Sequence, residues 1–127
     1  MKRLGIKIIS LLVSAVFMSS VIQLRYTTYC NWSLNYNSTN PSLSRMYREY
    51  HPSAYDHYRV AATSQSGYGD YWTEFSLNGY KKYIYSAGSW FTYDYNGTSS
   101  PTLTMTLKVS DGTGSVSMSG NVQVYND

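Results

Sequence analysis

The chain is short of cysteine, of charge and of recognisable catalytic motifs, and each shortage removes a class of protein. Its single cysteine, Cys30, rules out an intramolecular disulfide. A thiol alone in an oxidising compartment is buried, free or paired with a second copy, so a homodimer is one expected partnership. TTYC is no lipoprotein cleavage box, because a bulky tyrosine precedes the cysteine. Charged residues make up only 13% of the 127 positions, without charge blocks, and there are no internal repeats. The net charge of +3 comes from the extreme N-terminus, where Lys2, Arg3 and Lys7 lie; beyond residue 20, seven basic residues face seven acidic ones. A nucleic-acid binder draws its affinity from neutralised phosphates, and cationic membrane-active peptides need a basic face. A neutral domain fits neither. No G-x-S-x-G, H-E-x-x-H or glycine-rich phosphate loop occurs, and seven scattered acids single out no carboxylate pair. The expectation is a protein that is not an enzyme and needs no cofactor.

The N-terminus departs from the rest. MKRLGIK is basic and IISLLVSAVFMSSVI is apolar, broken only by serines. This is the form of a secretory signal peptide, and the run falls short of the roughly 20 apolar residues of a membrane span. Residues 1–20 are therefore expected to be a signal peptide and 21–127 a single secreted domain. No A-x-A precedes a cut after Ser20, so the alternative is an uncleaved anchor holding the domain at the cell surface. About 100 exported residues bury just enough surface to fold unaided. Aromatics at 17%, with fifteen tyrosines, supply the area, since tyrosine buries its ring and keeps its hydroxyl wet.

Hydrophobic periodicity points to strands. In TLTMTLKVS, Leu103, Met105, Leu107 and Val109 alternate with threonine and lysine. After DGTG, SVSMSGNVQVY turns Val116, Met118, Val122 and Val124 inward, with Gly120 marking a bulge or close approach. The two runs joined by a glycine turn predict a hairpin over 102–125. Asn78-Gly79 and Asn96-Gly97 are the preferred pair for two-residue type I′ turns. HYRVAATS at 57–64 and YTTYCNWSLNY at 26–36 add two more strands. The fold class is all-β, a small antiparallel β-sandwich of six or seven strands. The exception is residues 40–50, where Asn40 caps, Pro41 opens, and Leu43, Met46, Tyr47 and Tyr50 share the face of a short helix ended before Pro52.

The densest polar stretch is YREYHPSAYDHYRV at 47–60, which holds both histidines. His51 and His57, with Glu49 and Asp56, offer nitrogen and oxygen ligands, but their spacing matches no zinc signature and no metal is expected. The stretch reads instead as a recognition loop entering the strand at 57–64. His51, Pro52 and His57 shape it and its tyrosines line the surface. Tyr80, Tyr83, Tyr85, Trp90, Phe91, Tyr93 and Tyr95 supply further rings, about half of them expected to be core. Exposed tyrosine and tryptophan are favoured at recognition surfaces. The candidate binding residues are Tyr47, Tyr50, His51, His57, Tyr58 and Trp90. The triplets at Asn31, Asn37 and Asn96 fit N-glycosylation acceptors, which matter only in a source that uses them.

Tyr47, Tyr50, His51, Pro52 and Ser53, followed by His57 and Val60, resemble the Y-x-x-Y-x-H-P-S…H…V region of the lactococcin 972-type bacteriocins. Trp32 ahead of the block and Ala87-Gly88-Ser89-Trp90 behind it, similar to an A-G-x-W element, fall in the same order. The resemblance covers residues 32–95. It departs in spacing, one residue short between Tyr50 and His51 and one residue long before His57, in the length of the segment before Tyr47, and in the regular strands after 102. What it implies is a β-sandwich secreted by a Gram-positive bacterium that binds a cell-envelope component of related bacteria and disturbs wall or septum synthesis. A membrane immunity or export system would be its partner in the producer. The other expectation is a surface adhesion or carbohydrate-binding module using Tyr/Trp platforms on a glycan.

Overall fold

The computed structural model describes residues 26–110 and 114–127; the expected signal segment and the first three residues of the DGTG turn lie outside them. The described residues form eight strands: β1 (Thr27–Asn37), β2 (Tyr47–Tyr50), β3 (His57–Ser66), β4 (Tyr71–Leu77), β5 (Tyr80–Ile84), β6 (Trp90–Asp94), β7 (Leu103–Val109) and β8 (Ser115–Tyr125). They pair antiparallel in two four-stranded sheets, β1-β8-β3-β6 and β2-β7-β4-β5. This is the expected all-β sandwich, with eight strands where six or seven were read.

Alternation builds the core. Each strand turns every second side chain inward, and the two inward faces meet: Trp32, Leu34, Tyr58, Val60, Met118 and Val122 from the first sheet, Phe75, Leu77, Leu103, Met105 and Leu107 from the second. Burial of apolar surface contributes about 25 cal/mol per Å², so these side chains dominate the stability. Trp32 and Phe75 pack edge to face across the interface with centroids 5.3 Å apart, a favoured aromatic geometry. One polar side chain joins the core: Thr73, fully buried, donates its hydroxyl to Met118 Sδ at 3.2 Å.

The structure changes three readings. β7 and β8 do alternate, but each belongs to a different sheet, so 102–125 is a crossover rather than a hairpin. Alternation reports which face of a strand is buried, not which strand it pairs with. Asn78-Gly79 does close the β4–β5 hairpin, with φ of 48° and 92° at the two residues. Asn96-Gly97 closes none. Gly97 stands where the Tyr95 ring folds across the backbone, and a Cβ there would come within 2.9 Å of the ring carbon Cε1. The expected helix at 40–50 shrinks to one 3₁₀ turn, Pro41–Leu43, and Tyr47–Tyr50 is strand β2. Pairing with β7 (Tyr47 opposite Thr106, Tyr50 opposite Leu103) outweighs the helical spacing, and Leu43 is left 74% exposed.

Lys82 bridges the two sheets at their β5 and β6 edges, beside the Tyr93 hydroxyl, which donates to the Phe75 carbonyl at 3.1 Å. Lys82 on edge strand β5 donates to the Thr92 carbonyl of edge strand β6 at 2.6 Å, and its ammonium lies over the rings of Phe91 and Tyr93, 5.6 and 5.1 Å from their centroids. A charged side chain placed so blocks the edges against pairing with another chain.

Candidate functional site

The fold distributes the residues of 47–60 over both sheets and both faces. Tyr47, Glu49 and His51 lie together on the outside of the second sheet. The Tyr47 hydroxyl donates to Glu49 Oε2 at 2.6 Å, and His51 Nε2 lies 2.8 Å from Oε1. The hydrogen bond from Tyr47, assisted by His51, holds the Glu49 carboxyl below its usual range, and the same bond pushes the Tyr47 phenol up. Tyr50 points the other way, half-buried, edge to face with Tyr29. Only the first four residues of the stretch belong to β2, and from His57 onward it is β3, so the expected loop is confined to residues 51–56.

Tyr58 does not reach the surface. It is fully buried; its hydroxyl donates to the Ser53 carbonyl at 2.7 Å and accepts from the Tyr55 amide at 2.9 Å, tying the 51–56 loop to the core with Pro52 buried beneath. His57 is its neighbour in sequence and faces outward on the first sheet. Its Nδ1 lies 2.9 Å from Asp94 Oδ1 and its Nε2 2.9 Å from Asp127 Oδ2, while the ring stacks on Tyr125 at 4.2 Å. Trp90, at the start of β6, is 57% exposed on that same face. The six candidates therefore divide into an outer pair on each sheet (Tyr47 and His51, His57 and Trp90) and two tyrosines turned inward.

A more coherent set of rings stands on the outside of the second sheet. β4 sends Trp72, Glu74 and Ser76 outward, because Tyr71, Thr73, Phe75 and Leu77 fill the core. Tyr83 on β5 pairs with Glu74. Tyr83 and Tyr85, two apart, lie on one side of the chain with centroids 6.4 Å apart and planes inclined by 34°; Tyr85 lies 6.3 Å from Trp72 at 33°. Tyr83 is 44% and Tyr85 65% exposed. The three rings form a continuous strip of tilted, neighbouring planes. Polar groups border it: Lys81 Nζ lies 3.4 Å from Glu74 Oε1, and Thr106 and Tyr47 continue the Glu74 row across the sheet. Such a strip can stack on the faces of planar or chair-shaped groups while its border makes hydrogen bonds.

The sequence placed Tyr83 and Tyr85 among the further rings but not in the candidate site, and Trp72 was missed. The signal was present: Trp72 stands at a polar position of an unbroken alternation, where an outward aromatic has no packing duty in its own core. The placement of β4 beside β5, announced by Asn78-Gly79, would have joined the three.

Among the described residues no three His, Cys, Asp or Glu side chains are grouped as metal ligands require, and no helix is long and apolar enough to cross a membrane. Compared with known proteins, the chain matches no family model, no curated protein and no solved structure. The likeness to the lactococcin 972-type bacteriocins rests on the residues quoted for it.

Proposed function

We propose that this chain is a non-catalytic, secreted β module that binds cell-envelope glycan through the Trp72–Tyr83–Tyr85 strip. The observation that supports this reading is the strip itself: three neighbouring rings, two of them well exposed, on the outer face of a sheet whose inner face is already filled by other side chains. Keeping large rings in water forgoes burial worth about 1.5–3 kcal/mol per side chain. Aromatic side chains with a polar edge are the enriched anchors of recognition surfaces. A pyranose offers an apolar face of C–H groups to such a strip and hydroxyls to Glu74, Lys81 and Tyr47 at its border. The carboxylate of Glu49, occupied by Tyr47 and His51, acts as a border acceptor in this scheme and not as an acid or base.

The antibacterial action implied by the resemblance is the same binding event with a harmful outcome for the cell that carries the glycan. Of its motif residues, Pro52 and Ser53 serve the fold: Pro52 is buried and the Ser53 carbonyl accepts from Tyr58, which ties the 51–56 loop to the core.

The test is binding of the purified chain to a panel of isolated bacterial walls and neutral polysaccharides, followed by the double variant Tyr83→Ala/Tyr85→Ala and by Trp72→Ala. Loss of an anchor ring is expected to weaken binding about tenfold or more without changing the circular dichroism spectrum. A folded double variant that binds as tightly as the parent would refute the reading. Growth inhibition and septum shape on lawns of Gram-positive bacteria, measured with the same variants, would show whether binding leads to killing.

A further inference from the structure

The opposite face of the sandwich carries a different set of groups. Strand register lays out the outside of the first sheet in rows. His57 stands between Tyr125 and Asp94; Arg59 between Gln123 and Thr92; Ala61 between Asn121, itself opposite Asn31, and Trp90; beyond them lie rows of serine and asparagine. The Arg59 guanidinium is held by rings. Its Cζ lies 4.5 Å from the Trp90 centroid and 5.9 Å from that of Tyr26. Its one hydrogen-bond partner among the described residues is Gln123 Oε1, at 3.5 Å from Nη1, and its Nε is buried without any. No carboxylate of the described residues lies within ion-pair distance of it.

We infer that Arg59 is the anion-recognising centre of a second binding site, on the outside of the first sheet, for a carboxylate-bearing saccharide. An arginine fixed by stacking, with three of the four N–H donors on its terminal nitrogens unspent, is preorganised for a carboxylate, which it can meet end-on with two parallel hydrogen bonds from Nη1 and Nη2. The rings also hold the guanidinium still, so little side-chain entropy is lost on binding. Ala61 leaves a shallow floor between Trp90 and Asn121. Trp90 offers a stacking face there, and Asn31, Asn121 and Gln123 present amides to hydroxyls. Among the described residues the face has a row of amides and hydroxyls and one well-exposed large aromatic, Trp90, with Tyr26 and Tyr125 half-buried beside it, which suits a sugar better than a peptide needing several apolar anchors. The acids nearest to hand do not oppose this. Asp94 and Asp127 both turn to His57, on the side of Arg59 away from Ala61. The site lies on the other sheet from the Trp72–Tyr83–Tyr85 strip and does not depend on it.

The test is isothermal titration of the purified chain with a galacturonic acid hexamer, the same hexamer as its methyl ester, a neutral glucan hexamer and a glutamate-rich peptide. The acidic hexamer is expected to bind about ten- to a hundredfold more tightly than its ester, the range of a hydrogen bond to a charged group. Arg59→Gln should bring acid and ester to one affinity, Arg59→Lys should restore part of the preference, and Trp90→Ala should weaken both. Tyr83→Ala/Tyr85→Ala should leave the acid preference untouched, which separates this site from the strip. Equal affinity for acid and ester, no binding of either hexamer, a preference that survives Arg59→Gln in a folded protein, or a peptide bound as well as the sugar would each overturn the assignment.

Discussion

Gly120 offers the sharpest test of the fold. It sits in the middle of β8, with β1 on one side at Trp32 and β3 on the other at Ala62, where β3 bulges between Ala62 and Ser64. The bulge pushes the β3 backbone against Gly120. A Cβ on Gly120 would collide with the Ala61 carbonyl oxygen, and would come within 2.8 Å of the Ala61 carbonyl carbon and 2.9 Å of Ala62 Cα. All three are backbone atoms of a paired strand, so no side chain can swing aside. Overpacking a core costs about 1–3 kcal/mol where side chains can adjust; here the sheet itself must shift, and Gly120→Ala should cost about 3 kcal/mol. For a domain of this size, each 1 kcal/mol moves the melting temperature by about 4–8 °C, so a loss of about 12–24 °C is expected. Gly88→Ala is the control. Gly88 has φ of 89° but nothing within 4 Å of its Cβ position, so only the left-handed backbone is penalised, at about 1–2 kcal/mol. Urea denaturation followed by tryptophan fluorescence and near-ultraviolet circular dichroism would give both values. If Gly120→Ala were no more costly than Gly88→Ala, the close approach of β3 to β8 would be wrong, and with it the register of the first sheet.

Two further outcomes follow from single side chains. Hydrogen bonds that the His57 ring donates to Asp127 and to Asp94 raise its pKa above the ordinary value, against the opposing effect of desolvation; the stability this adds is fully present below about pH 6.5 and fades as pH rises through the higher folded-state value. Denaturation midpoints at pH 5.5 and 8.5 should therefore favour the acid side by up to about 1 kcal/mol, the range of surface pairs, and His57→Gln should abolish the difference; a parent protein equally stable at both pH values would refute the clamp. Burial pushes the Cys30 thiol up to about 11, so about a hundredfold less thiolate than in an ordinary thiol should make its reaction with a disulfide reagent at pH 8 slower by about that factor in the native state and normal in urea. Rapid native labelling, or a disulfide-linked dimer formed in air, would show that Cys30 is not held as the structure places it.

The sheets were legible in the sequence because burial imposes a period of two. β4, β7 and β8 follow it without a break, and β1 and β3 follow it until a bulge interrupts them, after Thr28 and after Ala62. Partnership was legible only where a turn left a chemical mark. Asn78-Gly79 carries the positive φ its hairpin needs, so β4 and β5 were joined correctly. The DGTG run has similar chemistry, yet the strands on either side of it serve different sheets. Asn96-Gly97 misled for a third reason, since that glycine makes room for the Tyr95 ring. The helix expected at 40–50 rested on four apolar residues at helical spacing. Two of them, Tyr47 and Tyr50, are three apart and so take opposite faces of β2, where backbone pairing with β7 and the contact of Tyr50 with Tyr29 outweigh any gain from a lone helical turn.

The stretch YREYHPSAYDHYRV shows why residue type alone misplaces a binding site. Its tyrosines and histidines suggested one recognition loop, but consecutive residues of a strand face opposite ways, so His57 and Tyr58 could never share a surface once β3 began at His57. Tyr58 took the core and used its hydroxyl to anchor the loop that precedes it; His57 took the outside and gathered two carboxylates and a stacked ring. A ring buried in this way stabilises the fold and is lost to recognition, whereas Trp72, Tyr83 and Tyr85 occupy outward positions of β4 and the β5 segment, across from strands whose inward positions are already filled. Removing Tyr58 should therefore damage stability and glycan binding together, whereas removing Tyr83 and Tyr85 should damage binding alone. That separation is the property that distinguishes a recognition surface from an aromatic-rich core.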